Sequence, residues 1–142
     1  NKVIPISENT IFKSLKINAD IDKKNLINGG PVDMNKLFVI HTESSHKESL
    51  VVPNGLCLTS SIDVIESIGN RTFKNPYKLA LGYCGWDGGQ LDYEVSKNSW
   101  LILDISSEIV LNEEPEQLVK SISKEVGYDI DKIQNSEIIT KH

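Results

Sequence analysis

The spacing of apolar residues changes several times along this chain, and each change predicts a new element. In "SENTIFKSLKI", Ile11, Phe12, Leu15 and Ile17 fall in one helical stripe, with Ser7 or Asn9 able to cap the free amides at its start. That predicts a short helix over about 9–16. After the polar link "NADIDKKN", the segment "NLINGGPVDMNK" turns a Gly-Gly-Pro corner. The run "LFVIH", residues 37–41, is apolar at successive positions and predicts an interior strand. "SLVV" and "LCLT" flank the turn tripeptide "PNG", so residues 49–59 read as a hairpin. Ser60 with Asp63 three positions on resembles a capping box, and Ile62, Val64, Ile65 and Ile68 supply the stripe of a helix that Gly69 stops.

Beyond the loop "NRTFKNPY" the pattern predicts a strand in "KLALGYC", a short helix in "GQLDYEVSKN" and another strand in "SWLILDI", with Trp100 as one of its core residues. "NEEPEQLVKSISKEVG" is the clearest helix. Acidic residues and Pro115 occupy its first turn, Leu118, Val119, Ile122 and Val126 form one face, and Gly127 stands just past its end. The tail keeps one more apolar patch, Ile130 and Ile133. Strands and helices interleave around a hairpin, so the expected class is α+β, a single domain with a mixed sheet rather than a doubly wound parallel one.

One strand carries an asymmetry. In "KLALGYC", Leu79, Leu81 and Tyr83 alternate with Ala80, Gly82 and Cys84, so one face is bulky and the other nearly bare. A bare strip lets another element or a ligand approach the backbone closely, and Trp86 beyond the strand end has the parity to roof it. The glycine-rich "GWDGGQ" that follows leads into a helix, where converging amides favour an anion. It matches neither a dinucleotide nor a nucleoside triphosphate fingerprint. The plainer reading is that Gly85, Gly88 and Gly89 turn the chain and Asp87 caps the helix.

Composition narrows the function classes. The 142 residues suit one core, and 39% apolar with 25% charged residues is the balance of a soluble globular protein. No apolar run reaches the ~18 residues of a membrane helix and no secretory signal is present, so a cytoplasmic setting is expected. Cys57 and Cys84 are the two cysteines, with neither a disulfide framework nor a zinc spacing; no metal and no cofactor is signalled. Net charge is -5, with eight basic and eight acidic side chains in residues 1–71 against seven and twelve in 72–142. Arg71 is the sole arginine, so direct binding to nucleic acid is not expected. The chain opens at Asn1 without a methionine, and "NKVIPIS" reads as the end of a preceding element.

Five motifs then fall in order: "GGPV" at 29–32, "FVIH" at 38–41, "LTSSID" at 58–63, "LGYCGWDGGQLDYE" at 81–94 and "NSWL" at 98–101. Together they resemble the AlgH/YqgE family over about residues 26–127. The resemblance implies a bacterial α+β domain with a strongly curved mixed sheet and a depression lined by the motif residues. The label AlgH comes from a proposed part in regulating alginate production. Asp87 and Gly88 stand where the family commonly carries a small pair such as Gly-Pro or Gly-Ala, and a carboxylate there opposes an anion site. The family also opens with further strands ahead of "NKVIPIS", so the resemblance implies a domain short of its first strands, with an open sheet edge or a second copy covering it.

Two function classes follow. As a binding or regulatory module, the chain would hold a small ligand or a partner segment with Gly30, Pro31, His41, Thr59, Trp86, Gly89 and Gln90. As an enzyme of acyl transfer or hydrolysis, it would use His41 as base for Thr59 or Ser60, or Cys84 as nucleophile. The motifs are rich in glycine, aromatic and amide groups and poor in titratable ones, which favours the binding module.

Overall fold

The structure, a computed structural model, describes residues 25–42, 49–52, 54–130 and 132. The helix expected at 9–16 and the apolar position Ile133 lie outside the described residues. Within the described residues four strands, a helix, a fifth strand and three helices follow one another: β1 (Leu26–Asn28), β2 (Val32–His41), β3 (Leu50–Val51), β4 (Cys57–Thr59), α1 (Ile62–Gly69), β5 (Tyr77–Tyr83), α2 (Gln90–Ser96), α3 (Ser107–Asn112) and α4 (Pro115–Val126). The class is α+β and the sheet is mixed. Strand order is β1-β5-β2-β4-β3, with β1 parallel to β5 and every other pairing antiparallel.

Register sorts the side chains onto two faces. Val39 pairs with Leu79 and Thr59, and His41 with Tyr77 and Cys57. These residues share a face with Leu26, Leu37 and Leu81, and Val64, Ile65 and Ile68 of α1 close over it to form the main core. On the other face Ile27, Ala80 and Phe38 make one row across the sheet, and Leu50, Leu58, Ile40 and Lys78 make the next. The α3–α4 corner covers part of this second face: Val110, Glu113, Pro115 and Leu118 come down on Ile27, Ile40 and Lys78. Buried Lys78 donates through Nζ to the Glu113 carbonyl at 2.8 Å, so its charged end reaches the last turn of α3 while its stem stays apolar.

Several expectations need correction. Residues 99–105, read as the strand "SWLILDI", join no ladder among the described residues, and Trp100 is exposed rather than a core residue. The run has strand chemistry, but a strand exists only where a partner offers its backbone groups. Ser60 does not cap α1. Ser61 stands at the N-cap without a side-chain bond, and the local hydroxyl in use is that of Thr59, which accepts from the Ser61 amide at 3.1 Å. Nor does Asp87 cap α2, whose N-cap is Gly89 at φ 80°. Two elements went unread: β1, taken as part of the corner before "GGPV", and α3, which starts where Ser106 Oγ accepts from the Ile109 amide at 3.4 Å.

α4 agrees with the sequence down to its ends, with Pro115 in the first turn and Gly127 at the C-cap in the left-handed region at φ 80°.

Candidate functional site

The bare face of β5 is where two segments touch backbone to backbone. A Cβ built on Gly29 would lie 2.1 Å from the Gly82 carbonyl oxygen, and one on Gly30 would lie 2.3 Å from the Tyr83 carbonyl carbon. Gly82 in turn holds φ +67° with the Gly30 and Val32 carbonyl oxygens at 2.5 and 2.8 Å from where its Cβ would be. The Gly29 amide donates to the Leu81 carbonyl at 2.8 Å, and the Gly30 amide to Asn28 Oδ1 at 3.0 Å. So the element that approaches the bare strip is the "GGPV" turn itself. Opposite Gly82, β2 gains extra residues between Val32 and Leu37, with Asp33 at φ 47° and paired to Lys36 at 2.6 Å.

Past this interlock the second face of the sheet stays open as a cleft of about 580 Å³. Its floor is apolar, from Ile27, Phe38, Ile40, Leu58 and Ala80, and its polar groups are Lys36, Tyr83 and Cys84. The kink at Gly82 turns Tyr83 towards the cleft, where its ring meets Phe38 edge to face at 5.8 Å between centroids. The Cys84 thiol donates to the Gly29 carbonyl at 3.5 Å. Asp33 beside Lys36 holds the ammonium above its usual range.

The candidates named from sequence are divided by the sheet. Gly30 adjoins the cleft and Pro31 is exposed beside it, and Cys84 lines it. His41 and Thr59 lie on the other face, 0% and 2% exposed beneath α1, and His41 meets Phe73 edge to face at 5.7 Å. Ser60 is exposed at the start of α1. Trp86, Gly89 and Gln90 belong to a third place, formed by the loop before α2 and the helix itself.

There Glu94 is the hub. Its Oε2 accepts from Trp86 Nε1 at 3.1 Å and Trp100 Nε1 at 2.7 Å, and its Oε1 accepts from Gln90 Nε2 at 2.9 Å. The Gln90 Oε1 accepts from the Asp87 amide at 3.1 Å, so the same side chain ties the glycine loop to the helix. The two indoles meet edge to face, 5.4 Å between centroids. Bonds from Trp100, Gln90 and Trp86 stabilise the carboxylate and lower its pKa from the ordinary 4.5. Gln90 and Glu94 stand one helical turn apart, a spacing at which most such pairs simply face solvent. Spacing alone cannot show that the fold of the loop brings both indole N–H groups to one oxygen. The crowding of residues 82–100 is therefore largely a knot that closes a loop, a helix and a second loop on one carboxylate.

Among the described residues no group of three or more His, Cys, Asp or Glu side chains is placed to hold a metal ion, and no helix is long and apolar enough to cross a membrane.

Comparison with known proteins gives one answer by three routes. A family model described as "AlgH-like" matches residues 1–131, which reaches further toward the start than the motifs at 26–127. The UPF0301 protein of Cupriavidus metallidurans is 34% identical over 134 residues, covering 92% of this chain and 70% of its own length. That of Ralstonia pickettii is 36% identical over 121 residues, covering 82% of this chain and 64% of the relative. The solution structure of the AlgH protein from Pseudomonas aeruginosa superposes with a TM-score of 0.74 at 27% identity, covering 94% of this chain and 73% of that one.

Proposed function

The chain belongs to the AlgH-like family, and on that footing we propose that it is a binding and regulatory module whose ligand, a small apolar molecule or an apolar segment of a partner, lies in the cleft on the second face of the sheet. The observation that carries this reading is the cleft itself. Its volume of about 580 Å³ falls in the range of small-ligand sites, and it combines an apolar floor with a few polar groups at fixed places. Four of the five sequence motifs border it: "GGPV" through Gly29, "FVIH" through Phe38 and Ile40, "LTSSID" through Leu58, and "LGYC" through Gly82, Tyr83 and Cys84. The glycine interlock fixes its wall, so the shape is set before a ligand arrives and little entropy is lost on binding.

Regulation by association rather than by contact with DNA fits a chain of net charge -5 with a single arginine. A cytoplasmic setting fits two free thiols, Cys57 and Cys84. The catalytic alternative finds less support, because His41 and Thr59 are buried on the opposite face and only Cys84 of that set borders the cleft.

Cys84 supplies the test. The apolar dye anilinonaphthalene sulfonate should bind with a rise in fluorescence and shield Cys84 from iodoacetamide, while buried Cys57 stays unreactive in both states. Ala80→Leu, which puts a bulky side chain on the cleft floor, should weaken both effects. Dye binding unchanged by Ala80→Leu would sink the cleft reading. Turnover of a thioester or ester that disappears in Cys84→Ser would replace it with the catalytic one.

A further inference from the structure

A second surface stands apart from the cleft and does not depend on it. Trp86 and Trp100 are 36% and 45% exposed, and Leu101 and Ile102, which follow outside any helix or ladder of the described residues, are 48% and 71% exposed. Large apolar side chains gathered on one stretch of surface mark interaction sites rather than idle surface. We propose that the Trp86–Trp100 indole pair and the run to Ile102 form a docking surface for a basic, apolar segment of a protein partner, with an arginine or lysine of that segment stacked on an indole face.

The indoles are fixed before any partner arrives. Both N–H groups donate to the same oxygen of Glu94, at 3.1 and 2.7 Å, and the rings brace each other. An anchor already held in one rotamer loses little freedom on binding, and tryptophan is the residue type that most often dominates an interface. The electrostatics select the sign of the partner. A carboxylate accepting the N–H pushes electron density into each indole, which deepens the negative face that attracts a cation. Asp87, Asp92 and Asp104 add three carboxylates to the stretch, and its lysine, Lys97, lies over the Tyr93 ring at 5.6 Å. An anionic partner would meet this surface at a disadvantage. A basic one is steered to it.

The chain makes this measurable because Trp86 and Trp100 are its two tryptophans, so fluorescence excited selectively at tryptophan reports from the surface alone. A short peptide alternating Arg and Leu, titrated into the whole chain, should give a saturable fluorescence change that weakens as salt rises. The same peptide with Glu in place of Arg should give none. For variants, the anisotropy of the labelled Arg/Leu peptide replaces the tryptophan signal. Trp100→Leu, which keeps apolar bulk and removes the ring face, should weaken binding by about tenfold or more. Ile102→Lys alters an exposed side chain, so the fold survives it, and it should weaken binding as strongly. Glu125→Lys, a larger change of charge at an exposed position of α4, should leave it within about twofold.

Equal binding of the Glu peptide, or equal losses in Ile102→Lys and Glu125→Lys, would overturn the proposal. So would self-association of the chain that Ile102→Lys abolishes while the Arg/Leu peptide leaves fluorescence unchanged, since the occupant would then be a second copy.

Discussion

Gly82 and Gly88 differ in what surrounds them, and that difference decides what a methyl group would do at each. At Gly82 the backbone sits at φ +67°, and an added Cβ would meet the carbonyl oxygens of Gly30 and Val32 at 2.5 and 2.8 Å. The neighbour is backbone held by the Gly29 amide, so it has no rotamer with which to give way. Gly82→Ala should therefore cost more than about 2 kcal/mol, from the left-handed conformation and the overlap together. Gly88 has nothing within 4 Å of its Cβ position, and Gly88→Ala should stay within about 0.5 kcal/mol in the same urea titration. Glu94 carries a pH signature. Its folded pKa lies below the ordinary 4.5, so the stabilisation it gives is complete above that value and is lost as pH falls through the depressed one. Both indoles donate to it, so tryptophan emission should show a transition below pH 4.5 that Glu94→Gln removes.

At the scale of elements, a helix end offers the cleanest measurement. Gly127 sits at φ 80° past α4 with nothing within 4 Å of its Cβ position, so Gly127→Ala isolates the cost of the left-handed conformation, about 1–2 kcal/mol by chemical denaturation. α4 was legible in sequence because its start, face and stop are local: Pro115, the apolar stripe and Gly127 need no partner to be read. β5 was legible for the same reason, through its alternation and its bare side. Segment 99–105 was misread because its apolar residues say nothing about whether a neighbouring strand is there to pair with. β1 is three residues long and owes its existence to β5, which a window on "LIN" cannot contain. The candidate site divides in the same way. "GGPV" and "LGYC" were marked by their glycines, whereas the positions of His41 and Thr59 depended on which sheet face α1 covers. Strand parity groups His41 with Leu37 and Val39 but leaves open which face is buried.

At the scale of the whole molecule, the sheet of the described residues has unequal faces, and neighbouring residues of β5 report on them separately. Leu79 is 0% exposed in the core between the sheet and α1, among Val39, Leu37 and Ile65. Ala80 points the other way, to the floor of the cleft between Ile27 and Phe38. Leu79→Ala deletes buried carbon from a closed core and should destabilise by about 2–5 kcal/mol, the transfer cost plus that of the cavity left behind. Ala80→Leu adds carbon. In a filled interior that would strain the structure by about 1–3 kcal/mol, but over an open apolar cleft the added side chain finds space and covers other apolar atoms, so the change should stay within about 1 kcal/mol and can be stabilising. The two variants sit at adjacent positions of one strand with the same secondary-structure demands, so the backbone contribution largely cancels between them. Paired unfolding curves would decide it: a loss in Ala80→Leu as large as that in Leu79→Ala would mean that the second face is filled in solution, and the ligand of the cleft reading would have to be sought elsewhere.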